Sequence, residues 1–152
     1  MKRVLRHLAF VLASASIMTG CGLAWSTHYF KNYNLNEIKS ARVGDQMITY
    51  KTARINDVYK TIGDGFGQEL IYGGIANGIV KVMYREYGGP GASYARPAFN
   101  QELQYDMNAS KIITYRSLKI EVIEYSNEVI RYKVIEGPKL PENVKFDDNE
   151  PF

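Results

Sequence analysis

Hydrophobic and polar positions alternate with a period of two over much of the chain. Leu118, Ile120 and Val122 fall on one side of a run, and Ile130, Tyr132 and Val134 repeat the pattern one run later. Phe99, Leu103 and Tyr105 share one face of a third run, while Asn100, Glu102, Gln104 and Asp106 share the other. An extended backbone places successive side chains on opposite faces, so this period predicts half-buried strands. β-Branched and aromatic residues bounded by turn residues extend the prediction to Gln46–Ala53, Gln68–Tyr72, Gly78–Tyr87, Ala98–Asp106, Lys111–Tyr115, Leu118–Tyr125 and Glu128–Glu136.

Turn chemistry then assigns neighbours. Ser126-Asn127, Ala76-Asn77-Gly78 and Asn108-Ala109-Ser110 each separate two such runs, and Asn and Gly tolerate positive φ, so each predicts an antiparallel hairpin. A short helix is expected over Arg54–Lys60, where Ile55, Val58 and Tyr59 recur at helical spacing before Thr61 and Gly63 end it. About six or seven strands in a meander predict an all-β domain over residues 43–137, a small antiparallel barrel or sandwich. A domain of roughly 100 residues buries somewhat over ~60% of its chain surface, enough to fold without disulfide or metal.

The pattern lapses at both ends. Residues 22–42 mix polar residues with scattered aromatics and show no strict period, which predicts a tether with a helical turn over Asn34–Lys39. Trp25, Tyr29 and Phe30 would lie at a lipid headgroup boundary or cover the edge of the domain. Residues 138–152 contain Pro138, Pro141 and Pro151 and the run DDNE, which predicts a loose acidic tail.

The first twenty residues have the layout of an address. Lys2, Arg3 and Arg6 precede an apolar run from Leu8 to Met18. That run is shorter than the ~20 residues a helix needs to span ~30 Å of hydrocarbon, and it matches the core of a signal peptide. Met18-Thr19-Gly20-Cys21 follows, and Cys21 is the only cysteine in the chain. With these features the N-terminus resembles that of bacterial lipoproteins. The resemblance implies cleavage by signal peptidase II between Gly20 and Cys21, a diacylglyceryl thioether on Cys21 and a further palmitate-type acyl chain on the new amine. Gly22, rather than aspartate, implies the outer membrane with the domain facing the periplasm, as in enteric bacteria. The alternative is an ordinary secretory signal cut near Ser16 or Gly20, which would leave Cys21 a free thiol.

Charge divides at the same place. The chain has 19 basic and 16 acidic residues, and Lys2, Arg3 and Arg6 all belong to the leader, so the remainder is formally neutral. A nucleic-acid partner, which needs a surplus of Lys and Arg, loses its support.

Candidate chemistry is sparse. His7 lies in the leader and His28 in the expected tether, so residues 43–137 contain neither histidine nor cysteine. Ser-His-Asp and Cys-His catalysis and the usual zinc sites are not expected there, and no cofactor is expected. Gly63-Asp64-Gly65-Phe66-Gly67 reads as a turn or bulge, because a strand-like run and no helix follows it, and Gly88 to Ser93 reads as a flexible loop.

The distinctive stretch is Tyr84-Arg85-Glu86-Tyr87, followed by Tyr94-Ala95-Arg96-Pro97-Ala98-Phe99 and Tyr105-Asp106. It resembles uncharacterised β-rich domains of bacterial envelope proteins over residues 66–136, a resemblance that implies no activity. Arg85 or Arg96 is expected to pair with Glu86, Glu102 or Asp106, since guanidinium meets carboxylate two-pronged, and Pro97 holds Arg96 extended. The candidate polar cluster is therefore Arg85, Glu86, Arg96, Glu102, Tyr105 and Asp106, with two roles open to it: fixing strand register, or lining a groove for a carboxylate, glycan or peptide. The twelve tyrosines are expected mainly in packing, with wet hydroxyls, rather than as a stacking platform for sugars.

These observations favour a non-catalytic envelope lipoprotein held to membrane lipid through acylated Cys21 and meeting an envelope protein partner. The alternatives are a carboxylate-based hydrolase of envelope glycans or peptides, and a carrier of a small apolar ligand.

Overall fold

The computed structural model describes residues 24–140 and 145–146. The expected leader, Cys21, Gly22 and the rest of the expected tail lie outside the described residues.

The chain forms strands β1 (Trp25–Lys31), β2 (Ile38–Arg42), β3 (Gln46–Asn56), β4 (Ile62–Ala76), β5 (Ile79–Gly88) and β6 (Tyr94–Ala95). After a single 3-10 turn at Pro97–Phe99 come β7 (Gln101–Asp106), β8 (Ile112–Tyr115), β9 (Leu118–Tyr125), β10 (Val129–Glu136) and β11 (Lys145–Phe146). A seven-stranded sheet runs β11-β1-β3-β4-β5-β6 with β7 also on β5, and a four-stranded sheet runs β2-β10-β9-β8. Every pairing between these strands is antiparallel except the short β1–β11 pair, and a single bridge from Leu35 to Val134 is also parallel.

One core lies between the sheets. Ile48, Leu70, Tyr72, Val80 and Val82 enter it from the larger sheet, and Ile113, Leu118, Ile120, Ile130 and Tyr132 from the smaller. Each large apolar side chain buried this way contributes about 1.5–3 kcal/mol. The architecture is a two-layer sandwich, not a closed barrel.

Tyrosine hydroxyls join the layers. Tyr132 donates across the core to the Met47 carbonyl, Tyr72 donates to the Ser126 carbonyl at 2.5 Å, and Tyr105 donates to the Thr114 carbonyl at 2.9 Å. The tyrosines do pack, but the Tyr72 and Tyr132 hydroxyls are not wet, because a phenol buried among aliphatic groups has to find an acceptor there, whereas the Tyr105 bond lies at an exposed edge.

Several expectations hold. The alternating faces of Leu118–Val122 and Ile130–Val134 are buried, Ser126-Asn127 joins β9 to β10, and Asn77-Gly78, both at positive φ, turns β4 into β5.

Others are corrected. The expected tether contains β1, which pairs with β3 over seven register positions from Trp25–Asn56 to Lys31–Tyr50, and β2, which pairs with β10. β1 is half-buried along most of its length and β2 buries only Ala41, so neither carries a period-two apolar signal. The turn expected over Asn34–Lys39 is not helical. Nor do residues 54–60 form a helix: β3 runs on to Asn56, whose Oδ1 accepts from Val58 and Tyr59 N–H at 3.0 and 2.8 Å in a tight turn. Pairing on both sides of β3 outweighs so short a helical pattern.

Asn108-Ala109-Ser110 joins no hairpin, because β7 pairs with β5 while β8 pairs with β9 and the chain changes layers there. Residues 97–99 are a 3-10 turn rather than strand. The expected tail contributes β11, which runs beside His28 and Tyr29.

The glycine motif is not a turn but part of β4, and the bulge expected there is present, since the register shifts between the Ala53–Gly65 and Ile55–Ile62 pairs. At Gly65 a Cβ would stand 2.5 Å from the Thr52 carbonyl and 2.6 Å from Ala92 N. Its bareness lets the Gly89–Ser93 turn lie flat on the strand, with Gly65 N–H donating to the Gly89 carbonyl at 2.8 Å and Gly91 N–H to the Gly63 carbonyl at 2.9 Å.

Burial raises the hydroxyls of Tyr33, to about 12, and of Tyr50, Tyr72, Tyr84, Tyr105 and Tyr132 above the ordinary 10.0. An unfolded tyrosine ionises near pH ~10, so the unfolded chain sheds protons there while the folded chain keeps them. Stability is therefore expected to be intact below about pH 10 and to fall as pH rises further. The tyrosinate absorbance of these six hydroxyls is expected to appear in the same cooperative step in which far-UV circular dichroism is lost. Ionisation of all twelve tyrosines with the sheets intact would contradict this.

Candidate functional site

Glu86 is the charged group around which part of the predicted cluster gathers. It sits on β5 facing inward, beyond the last apolar residues of that strand, and is 5% exposed. Its carboxylate accepts from the Tyr84 hydroxyl at 2.8 Å, from Arg96 Nη1 at 2.9 Å and from Arg116 Nη2 at 3.4 Å. A buried carboxylate without such donors would be strongly destabilising.

Each arginine is positioned by its local backbone. Arg96 is extended, at φ −95° and ψ 98°, as the following Pro97 requires. Its N–H also donates to the Glu86 carbonyl at 2.8 Å, so backbone and side chain hold the same partner. Arg116 comes from the other sheet, in the β8–β9 turn at φ 52°. The ion pair therefore crosses the layers, as the tyrosine hydroxyls do.

The guanidiniums also lie on rings. Arg96 is 4.6 Å from the Phe99 ring centre, and Arg116 is 5.0 Å from Tyr84 and 5.6 Å from Tyr115. The Tyr84 and Tyr115 rings are 4.7 Å apart. About half of each arginine side chain remains exposed. Beside them is an open cavity of about 250 Å³ lined by Tyr84, Phe99, Asn100, Gln101, Tyr115 and Arg116. One carboxylate against two guanidiniums leaves the group with a net positive charge next to aromatic faces, an arrangement suited to an anionic or carbohydrate group. Gln68, opposite Glu86 in register, has a buried Oε1 with no hydrogen-bond partner among the described residues.

Of the predicted cluster, the structure brings together Glu86 and Arg96 and disperses the rest. Arg85 faces the outer surface of the sheet, opposite Glu69 in register. Glu69 is itself buried there, accepting from Gln46 Nε2 at 2.6 Å and the Tyr87 hydroxyl at 2.7 Å. Burial first, and then the bond to Glu69, raises the Tyr87 hydroxyl, with Arg85 pulling the other way. Glu102 is exposed on the outer face, where Gln104 and then Lys81 hold its carboxyl below the usual range. Tyr105 is occupied with the Thr114 carbonyl, and Asp106 accepts from the Asn108 N–H at 2.8 Å in the turn.

Sequence reasoning missed Arg116 and Glu69. Arg116 lies thirty residues from Glu86 and on the other sheet, and no local pattern ties them.

The two buried glutamates lie on opposite faces of the sheet and share no cleft. The arrangement that glycoside hydrolysis by a carboxylate pair requires is not formed by them.

The expectation that the folded part lacks histidine is also corrected, since β1 brings His28 into the sheet. Ser26 Oγ lies 3.0 Å from His28 Nε2 and donates to Asp57 Oδ1 at 2.8 Å. Here the hydroxyl stands between imidazole and carboxylate, whereas nucleophile activation needs the imidazole in the middle.

Among the described residues no group of His, Cys, Asp and Glu is placed to hold a metal ion. A smaller open hollow of about 80 Å³ lies near Tyr33, Tyr50, Pro138 and Leu140. Comparison with family profiles, curated proteins and solved structures gives no significant match.

Either arginine alone can keep the Glu86 charge paired, but loss of both leaves it buried with a single tyrosine donor. Arg96→Gln and Arg116→Gln are each expected to lower stability by about 1 kcal/mol. The double variant is expected to lose about 3–5 kcal/mol, more than the sum. Urea denaturation of the four proteins tests this, and additive losses would show the pairs to be independent.

Proposed function

We propose that the protein is a lipid-anchored lipoprotein of the bacterial envelope whose sandwich binds a partner without catalysing a reaction. The observation that carries this reading is the run from Lys2 to Cys21, with only Gly22 and Leu23 between the lone cysteine and Ala24, where the described fold begins. Acylation at two points of Cys21 provides a stable hold on the bilayer, at ~0.8 kcal/mol per buried methylene. Among the described residues no helix is long and apolar enough to cross a membrane. Gly22 favours the outer membrane, with the domain facing the periplasm.

The cavity beside Arg116 supports a binding role. Its rings and its half-exposed guanidinium suit a carboxylate-bearing glycopeptide of the cell wall or an acidic segment of an envelope protein. The pairing of Glu86 with two arginines and a tyrosine favours a structural task for that carboxylate over acid–base work.

Cys21→Ser is expected to leave thermal unfolding unchanged while moving the protein from the membrane pellet to the soluble fraction. Mass spectrometry of the native protein is expected to find an N-terminal cysteine carrying acyl chains. A bare thiol, or an uncut leader, would overturn the anchoring. For the cavity, titration with carboxylate-bearing glycopeptides released from cell wall is expected to shift the NMR amide signals of Tyr115 and Arg116. Arg116→Gln is expected to abolish that response in a folded protein, and a response unchanged by the substitution would refute binding there.

A further inference from the structure

The N-terminal strand and the β3–β4 hairpin meet at one end of the larger sheet. Trp25 pairs with Asn56 in register, and Asp57 N–H donates to the Ala24 carbonyl at 2.8 Å. The turn beyond is tightly built: Lys60 N–H donates to the Asn56 carbonyl and Asn56 N–H to the Thr61 carbonyl, at 2.8 and 2.9 Å. This rigid turn presents apolar side chains to solvent, Val58 at 67% exposure and Tyr59 at 71%. Trp25 stands next to it, with its ring packed over Gly63 and the Arg54 guanidinium 5.3 Å from the ring centre.

We propose that this tip is a membrane-docking surface, at which Val58, Tyr59 and Trp25 enter the headgroup layer of the bilayer that holds the anchor. The proposal rests on the lipoprotein reading of Cys21 and deepens it, because chain length then dictates what the tip meets. Three residue steps separate Cys21 from Ala24, and fully extended they reach at most about 11 Å. Each headgroup layer is itself roughly 5–7 Å deep. A lipid on Cys21 therefore keeps Ala24, and the turn hydrogen-bonded to it, within reach of that layer. The side chains on offer are the kinds that partition there: two amphipathic rings, one aliphatic group, and exposed Arg54 and Lys60 for anionic headgroups. Asp57 is the acidic group of the turn, and its carboxylate accepts from Ser26 rather than pointing unpartnered at the lipid.

Docking also orients the domain. Leu70, opposite the cavity residue Tyr84, lies eight residues along β4 from Ile62, which at ~3.3 Å per residue sets the cavity beside Arg116 about 26 Å along the sheet from the tip. Lipid attachment alone would leave the sandwich free to roll over the surface; a second contact fixes the face it presents.

Trp25 is the only tryptophan in the chain, so its emission reports on the tip without background. The full chain is expressed through its own leader, its N-terminus is identified by mass spectrometry, and it is reconstituted into phosphatidylethanolamine–phosphatidylglycerol vesicles with or without brominated acyl chains. Quenching of Trp25 by the brominated lipid is expected. Val58→Ser combined with Tyr59→Ser is expected to abolish it, while the protein still floats with the vesicles and melts as before. An acylated, floating protein whose Trp25 is unquenched overturns docking and leaves the lipoprotein reading standing. Quenching that survives the double substitution also overturns it, since the signal would then come from nearness to the anchor alone. An N-terminus without acyl chains overturns both readings, and the mass identifies that case.

Discussion

The two sheets bury one shared face against each other, and the smaller covers only part of the larger. β4 is fifteen residues long, whereas the strands of the four-stranded sheet run from four to eight. Where the layers overlap, the inward row of the larger sheet is apolar, with Leu70, Tyr72, Val80 and Val82. Towards the end of that overlap the same row becomes Gln68 and Glu86. A carboxylate buried at that margin needs strong donors, and it takes one cation from each layer. The polar cluster is thus a product of how the core ends.

That geometry explains which parts of the fold were readable in the sequence. Strands that bury one full face announce themselves, as β9 and β10 do with Leu118–Val122 and Ile130–Val134. Strands at the margins do not: β1 spreads partial burial over both faces and β2 buries one small residue. The turn at Asn77-Gly78 was legible because its residues suit positive φ and adopt it, while Asn108-Ala109-Ser110 misled because the same residue types stay out of positive φ there and the chain changes layers. Gly65 was read as punctuation because its reason, a second segment lying across it, is distant in sequence.

The site divides in the same way. Glu86 and Arg96 are ten residues apart with Pro97 holding Arg96 extended, and theirs is one of the several pairings expected between two arginines and three carboxylates. Arg85, one residue from Glu86, belongs to the opposite face by the alternation of a strand, so adjacency in sequence meant separation in space. Arg116 arrives from the other sheet and could not be foreseen without the topology. His28 was set aside with a supposed tether, and only the recognition of β1 as a strand brings it into the sheet beside Ser26 and Asp57.

The antiparallel seam between β1 and β3 has a mechanical consequence. Tension applied along the axis of β1 loads the ladder from Trp25 to Lys31 in shear. Its hydrogen bonds must then yield together rather than one after another, as they would if the strand were peeled sideways. A strand joined in this way transmits a pull along its axis into the sandwich as a whole.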